Sequence, residues 1–138
     1  MTAENKRIVR RYYDDVWNRW DLKLADQLLS PDVRFRGSLG LTKTGVDGFK
    51  KYMELVRAAF PDFHNSIKEL IAEGDKVVAK LTYWGTHRGT LMDVPATGRT
   101  VTYTGVAIFQ ITEGKIAEAW VLGDLHSLKK QLTGEMLG

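Results

Sequence analysis

The first 60 residues of the chain carry apolar side chains that recur every three to four positions. This spacing predicts amphipathic helices over residues 8–20, 22–29 and 46–60. A proline follows each of the last two segments, at Pro31 and Pro61. Because the residue before a proline avoids the helical conformation, these prolines are expected to end the helices. The N-terminal part of the chain is therefore predicted to be mainly helical.

From residue 63 onward the apolar spacing changes to two. Four alternating segments are predicted as β-strands, over residues 63–73, 76–88, 99–111 and 115–122. Glycine-containing turns after the first and third segments favour antiparallel pairing, and leucines at helical spacing near the C-terminus predict a closing helix. Helices followed by antiparallel strands indicate an α+β fold, formed by one domain over residues 1–138.

Alternation also divides the strand side chains between two faces of the sheet. The face turned toward the helices is expected to carry the apolar and small residues, namely Val77, Ala79, Leu81, Tyr83, Val101, Tyr103, Gly105, Ala107, Phe109, Ala117, Ala119 and Val121. The opposite face carries Trp84 and Trp120 among polar residues. Because exposed aromatic side chains on such a face are typical of an interface, a homodimer through this face is predicted.

The composition excludes several classes of function. The chain has 138 residues and no cysteine, which excludes disulfide bonds, thiol catalysis and cysteine metal sites. The three histidines lack metal-ligand spacing, so no metal is expected. No apolar run reaches the roughly 18 residues that span a bilayer. The charged N-terminus does not resemble a signal peptide, so no membrane association and a cytoplasmic location are expected.

A net charge of +3 and a pI of about 9.2 raise the question of nucleic-acid binding. The basic residues cluster over residues 6–11, but acidic residues flank the cluster and the intervening positions belong to the apolar stripe. This arrangement is typical of a solvated helix face. No nucleic-acid partner is therefore expected.

Two residues are candidates for acid/base chemistry. Asp124 ends the last predicted strand, and a carboxyl group at the mouth of a pocket is a usable base. The same position, after Gly123 and before a helical segment, is also typical of a helix N-cap. His87 shares the inward parity of Tyr83 and has a side chain suited to proton transfer. Its glycine-flanked turn equally suits a structural hydrogen bond.

Aromatic residues offer a second kind of chemistry. Tyr13 and Trp17 belong to the first helical stripe, and Tyr103 lies on an inward strand position. A tyrosine hydroxyl can donate a hydrogen bond to a developing oxyanion. The alternative is that these side chains pack the hydrophobic core, and the sequence leaves both interpretations open.

Three short motifs stand in order on the predicted strands: residues 85–89 (GTHRG), 95–99 (PATGR) and 113–120 (EGKIAEAW). Together they resemble the SnoaL-like polyketide cyclase family, within the larger group of nuclear-transport-factor-like cone folds. The resemblance extends from Ile8 to Gly134. It implies a cone-shaped domain in which N-terminal helices wrap a curved antiparallel sheet around an apolar pocket, without a metal or organic cofactor.

The resemblance also implies a function and a set of site residues. Family cyclases close a ring of an aromatic polyketide by an aldol step, using an aspartate at the position of Val121 and a histidine at that of Ala107. We expect a small hydrophobic carbonyl compound as partner. Asp124 and His87 are the candidate acid/base residues of an enzyme. The alternative is a non-catalytic protein that binds an apolar ligand or a partner. The expected pocket wall consists of Tyr13, Trp17, Leu81, Tyr83, Tyr103, Ala107, Ala119 and Val121.

Overall fold

The computed structural model describes residues 2–134. Within them the α-helices are α1 (Thr2–Arg11), α2 (Leu22–Leu28), α3 (Gly45–Ala59) and α4 (Leu125–Thr133), and a π-helix, Tyr12–Trp17, directly follows α1. The strands are β1 (Leu29–Arg36), β2 (Thr42–Thr44), β3 (His64–Glu73), β4 (Lys76–Thr86), β5 (Thr100–Thr112) and β6 (Lys115–Gly123). The four long strands lie within two residues of the predicted bounds, which confirms the α+β prediction.

The six strands form one curved, unclosed sheet in the order β2-β1-β6-β5-β4-β3. Strands β3 to β6 are an antiparallel meander, as predicted. Strand β1, however, pairs with β6 in parallel, so the prediction of a wholly antiparallel sheet is wrong at this pair. The long connection between β1 and β6 allows this arrangement, because parallel neighbours need a crossover rather than a tight turn.

The helices cover one face of the sheet, and the core lies between them. α3 packs on β1, whereas α1 packs on β3 and β4. Along β4 and β5 the predicted inward residues are all buried and alternate with more exposed ones. Alternate burial along the two longest neighbouring strands is what gives the sheet a single covered face.

The alternation breaks at the start of β6. Gln110 pairs with Glu118, but the next residue, Ile111, pairs with Ile116, so Ala117 is the extra residue of a β-bulge. Ile116 is consequently buried and Ala117 only half-buried. The predicted inward placement of Ala117 is therefore wrong, whereas Ala119 and Val121, beyond the bulge, are buried as predicted.

The predicted first helix changes its winding at Tyr12. Residues 12–17 form a π-helix, whose hydrogen bonds span five residues rather than four. The wider turn buries four side chains side by side: Tyr12, Tyr13, Val16 and Trp17. This segment therefore delivers a concentrated group of aromatic residues to the covered face of the sheet.

Side-chain hydrogen bonds fix the C-terminal helix α4 to β5. The amide of Gln131 donates to the carbonyl oxygen of Thr102 at 2.7 Å and accepts from its N–H at 2.9 Å. Gln131 thus takes the place of a neighbouring strand, since the pairing of β6 with β5 reaches only Gly105. Leu128 and Leu132 are buried, so α4 closes one end of the core.

Candidate functional site

A small cavity lies between the covered face of the sheet and the helices. Its volume is about 20 Å³, which is room for about one water molecule. The residues that line it come from the π-helix, α3 and several strands and loops: Tyr12, Tyr13, Trp17, Phe35, Ser38, Tyr52, Val56, Phe63, Asn65, Tyr83 and Val121. The lining is aromatic, with a few hydroxyl and amide groups and no carboxylate or imidazole.

All five tyrosines of the chain gather here. Four line the cavity, and the ring of the fifth, Tyr103, lies 4.8 Å from that of Tyr83, centroid to centroid. Burial raises the pKa of every one of them above the usual range, and electrostatic repulsion from neighbouring tyrosines adds to the rise in Tyr12, Tyr13, Tyr83 and Tyr103. These hydroxyl groups therefore stay protonated at neutral pH and act as hydrogen-bond donors.

The hydroxyl group of Tyr83 differs from those of its neighbours. Tyr52 accepts a hydrogen bond from the backbone N–H of Leu39 at 3.1 Å, and the hydroxyl groups of Tyr103 and Ser38 are 2.9 Å apart. The Tyr83 hydroxyl is buried, and no described residue is its hydrogen-bond partner. An unpaired buried hydroxyl costs about 1–3 kcal/mol, so this group favours a partner that enters the cavity.

The expected pocket residues fall into two groups. Tyr13, Trp17, Tyr83 and Val121 line the cavity. The remaining four are buried on the covered face of the sheet but do not line it: Leu81, Tyr103, Ala107 and Ala119. The structure thus places three aromatic members of the expected wall and Val121 at the cavity, and leaves Tyr103 and the remaining aliphatic members in the surrounding core.

Asp124 lies outside the cavity. It is exposed, and its Oδ1 accepts a hydrogen bond from the backbone N–H of Ser127 at 3.0 Å, which makes it the N-cap of α4. The residue borders a shallow groove on the open face of the sheet, next to Lys80 and Leu122. The geometry therefore gives Asp124 the capping role that the sequence also suggested.

His87 is fully buried, yet it does not line the cavity either. Its Nδ1 accepts a hydrogen bond from the backbone N–H of Thr97 at 3.2 Å and lies 3.0 Å from the hydroxyl of the same residue. A neutral ring that accepts at Nδ1 carries its proton on Nε2, which has no partner among the described residues. His87 thus fixes the loop between β4 and β5 to the end of β4.

Sequence reasoning missed seven of the lining residues: Tyr12, Phe35, Ser38, Tyr52, Val56, Phe63 and Asn65. Two of these misses had a visible signal. Tyr12 belongs to the same helical stripe as Tyr13, and Asn65 is a polar residue at an inward position of the predicted strand over residues 63–73. Polar groups at inward positions are strong site candidates because burial without a partner is costly.

Two further features of residues 2–134 bear on function. They contain no group of three or more acidic, histidine or cysteine side chains arranged to hold a metal ion. None of their helices is long and apolar enough to cross a membrane.

Comparison with known families now adds to this geometry. The family model of the SnoaL-like polyketide cyclases matches residues 7–132. The chain belongs to the SnoaL-like polyketide cyclase family. No protein of curated function matches it in sequence.

Solved structures of the family agree with the fold. A candidate SnoaL-like polyketide cyclase from Jannaschia sp. CCS1 superposes with a TM-score of 0.88 over 98% of this chain and 95% of its own, at 20% identity. AclR from Streptomyces galilaeus, a candidate hydroxylase, is 31% identical, with a TM-score of 0.83 and coverage of 97% and 83%. IdmH from Streptomyces antibioticus, a candidate polyketide cyclase, is 25% identical, with a TM-score of 0.81 and coverage of 94% and 98%.

Within this SnoaL-like fold, the two positions at which the resemblance places a cyclase aspartate and histidine are neighbours. Val121 and Ala107 pair directly across β6 and β5. Val121 lines the cavity, and Ala107 is fully buried beside it on the adjacent strand. Both side chains are apolar, so neither contributes a proton-transfer group here.

Proposed function

We propose that this SnoaL-like protein binds a small hydrophobic carbonyl compound between the π-helix and the sheet, with the Tyr83 hydroxyl donating a hydrogen bond to the carbonyl oxygen. The observation that carries the proposal is the Tyr83 hydroxyl, which is buried at an aromatic cavity without a partner among residues 2–134. Such a donor gains a full hydrogen bond when a carbonyl oxygen arrives. The surrounding rings supply apolar contact for the rest of the ligand.

The chemistry of the lining favours binding and carbonyl activation over proton abstraction. The titratable side chains at the cavity are tyrosines whose pKa burial raises, so they donate hydrogen bonds and do not accept protons at neutral pH. A donor aimed at a carbonyl oxygen stabilises charge that develops there, which is the electrophilic half of an aldol ring closure. The base for such a closure has no candidate among the lining residues, which supports the alternative of a non-catalytic binding protein.

The acid/base roles of Asp124 and His87 remain predictions that need an experiment. Asp124→Asn removes the charge but keeps a good N-cap, so the fold is preserved. If the protein only binds its ligand, we expect this variant to match the native chain in turnover on a panel of aromatic polyketide-like ketones. Loss of turnover in Asp124→Asn would instead assign Asp124 to the chemistry. AclR is a candidate hydroxylase and IdmH a candidate polyketide cyclase, so the panel covers both ring closure and hydroxylation.

Fluorescence of prodan, a neutral naphthalene ketone whose emission responds to hydrogen bonding at its carbonyl, tests the binding proposal. We expect saturable binding to the native protein. In Tyr83→Phe, which keeps the ring, affinity falls by about ten-fold because one hydrogen bond is lost. Tyr103→Phe is the matched control, since that hydroxyl already pairs with Ser38. Absence of prodan binding, or equal effects of the two substitutions, would contradict the proposal.

We also propose that the protein is a homodimer through the open face of the sheet. Trp84 and Trp120 are 39% and 40% exposed there. A row of paired apolar residues, Ile71, Val78, Ile108 and Trp120, crosses four strands. The face also carries both signs of charge, including the Arg34–Glu118 pair at 3.2 Å. Such a face is self-complementary, as a two-fold interface requires.

Light scattering at micromolar concentration tests the dimer. The native chain is expected to scatter as a dimer, and Trp120→Glu as a monomer because a charge then enters the apolar row. Leu55→Glu is the control, since Leu55 is 42% exposed but lies on α3, away from this face. A monomeric native chain would exclude the proposed interface.

A further inference from the structure

The cavity is too small for an organic ligand as the structure stands. Its volume is about 20 Å³, whereas ligand pockets commonly hold about 300–1,000 Å³. Binding of a carbonyl compound therefore requires that part of the wall moves outward. We expect the wall to move where the fewest contacts hold it in place.

A groove of about 470 Å³ lies on the outside of the molecule, along the start of β3 and the exposed side of the π-helix. Asn65 lines this groove and also lines the cavity. No other described residue appears in both linings. Asn65 is itself buried, and it is the residue at which the lining of the cavity and the lining of the groove meet.

On the side away from β4, Asn65 forms hydrogen bonds with one residue, Asn18, which follows the last residue of the π-helix. The Oδ1 of Asn18 accepts from the backbone N–H of Asn65 at 2.8 Å and from its Nδ2 at 3.2 Å. The Nδ2 of Asn18 donates to the carbonyl oxygen of Asn65 at 2.9 Å. We call these three hydrogen bonds the Asn18–Asn65 latch. They join two segments that are 47 positions apart in sequence.

The two partners of the latch belong to different parts of the fold, Asn65 to β3 and Asn18 to the end of the π-helix. β3 is an edge strand, paired only with β4, so its other edge depends on the helices for contact. The π-helix is a rarely used conformation that recurs at functional sites. Breaking three hydrogen bonds between neutral groups costs a few kcal/mol at most, because each contributes about 0.5–1.5 kcal/mol net.

The latch also stands next to the proposed hydrogen-bond donor. Asn65 and Tyr83 pair directly across β3 and β4, so their side chains lie side by side on the covered face. Opening of the latch also releases Nδ2 of Asn65 from Asn18, which leaves a second donor beside Tyr83.

We infer that the Asn18–Asn65 latch is the entrance to the ligand site and that Asn65, once released, binds a polar atom of the ligand together with Tyr83. This inference rests on the proposed binding function. It assigns Asn65 as a second hydrogen-bond donor at the cavity, on β3, whereas the Tyr83 hydroxyl lies over Gly105 of β5. It assigns Asn18 a positioning role, because Asn18 holds Asn65 and does not line the cavity.

Stopped-flow fluorescence with prodan tests the entrance. Asn18→Ala removes the latch and leaves Asn65 and Tyr83 in place, so the closed state loses stability and the open fraction rises. We expect prodan to associate about ten-fold faster with Asn18→Ala than with the native chain. The matched control is Gln131→Ala, which deletes a side-chain amide that likewise bonds both backbone groups of one strand residue, at α4.

The outcomes separate the two proposals. Faster association in Asn18→Ala but not in Gln131→Ala supports the entrance. Prodan binding with the same association rate in all three proteins rejects the entrance and leaves the binding function standing. Failure of prodan to bind the native chain rejects both.

Hydrogen exchange of the native protein gives a second test that does not depend on the stability of a variant. The backbone N–H of Asn65 donates to Asn18, so it exchanges whenever the latch opens. We expect it to exchange faster than the backbone N–H groups in the centre of β4 and β5. Exchange of this group only by global unfolding would overturn the entrance.

Discussion

Gly105 makes room for the tyrosine on which the proposed function depends. A Cβ atom at this position would lie 2.7 Å from Cε2 and 2.8 Å from the hydroxyl oxygen of Tyr83, both closer than normal contact. The ring of Tyr83 therefore lies flat over the backbone of β5, between the rings of Phe63 and Tyr103. The absence of a side chain at Gly105 thus positions the unpaired hydroxyl.

Substitution Gly105→Ala is expected to displace Tyr83. Overpacking of this kind typically costs about 1–3 kcal/mol of unfolding free energy. We expect urea unfolding to show a loss in this range and prodan affinity to fall at least as far as in Tyr83→Phe. Unchanged stability together with unchanged prodan affinity would show that the Tyr83 ring does not depend on Gly105 for its position.

Individual residues differ in how far the sequence reveals their placement. Alternation along predicted strands puts Tyr83 and Val121 on the covered face, where the structure has them. The same alternation puts Asn65 on the covered face, where its polarity marks it as a candidate for the site. Tyr52 and Phe35 meet at 4.9 Å between ring centroids although they belong to different elements. Such contacts depend on tertiary packing, and no local pattern encodes them.

Among the elements, helix α4 depends on the residues that cap its two ends. Asp124 caps its N-terminus through Ser127, and Gly134 ends it in the left-handed conformation, with φ of 78°. Positively charged side chains stabilise the C-terminal end of a helix. At this end of α4 the guanidinium group of Arg99 donates a hydrogen bond to the carbonyl oxygen of Gln131 at 3.2 Å. The helix of nine residues is too short to be stable without such contacts.

Two substitutions at Asp124 separate capping from charge. Asp124→Ala removes the N-cap and is expected to lower the unfolding free energy by about 1 kcal/mol, whereas Asp124→Asn keeps the cap and stays within a few tenths of the native value. Thermal or urea unfolding measures both. Equal stability of Asp124→Ala and the native chain would show that the cap contributes nothing to α4.

The π-helix and the β-bulge are two features that hydrophobic spacing cannot predict. The π-helix over Tyr12–Trp17 and an ordinary α-helix carry the same apolar stripe, so spacing predicts a helix but not its winding. The β-bulge at Ala117 is set by the pairing of β5 with β6 rather than by residue type. Both features nevertheless change which side chains are buried, and the π-helix supplies three of the aromatic residues that line the cavity.

At the scale of the whole molecule, the buried tyrosines link stability to pH. The pKa of each is raised in the folded state by burial, so the folded chain keeps protons that the unfolded chain releases above its ordinary tyrosine pKa of about 10. The stabilisation is complete below that pH and is lost as the pH rises toward the folded pKa. In that range each buried tyrosine lowers the free energy of unfolding by about 1.4 kcal/mol per pH unit.

Alkaline titration is therefore expected to be cooperative. Between about pH 10 and 12, the ultraviolet absorbance of tyrosinate should stay low while the chain is folded and then rise in one step together with the loss of circular dichroism. Five tyrosines titrating together would outweigh a typical domain stability of about 5–15 kcal/mol. Gradual ionisation of one or more tyrosines near pH 10 in the folded protein would contradict their common burial.

The arrangement of the molecule as a whole was only partly predictable. Segment types and the antiparallel order of β3 to β6 follow from spacing and turns. The parallel contact of β1 with β6 does not, because it depends on how α3 folds back over the sheet. The small size of the cavity could not be predicted from the sequence either. A volume of about 20 Å³ is the small difference between large packed volumes.

A crystal structure of the protein with bound prodan would show directly whether the Tyr83 hydroxyl binds a carbonyl oxygen. We expect the ketone to lie between the π-helix and β3, with its carbonyl oxygen within hydrogen-bond distance of the Tyr83 hydroxyl, and the Asn18–Asn65 latch to be broken. Prodan bound only on the open face of the sheet, or a cavity that stays closed at saturating ketone, would contradict it.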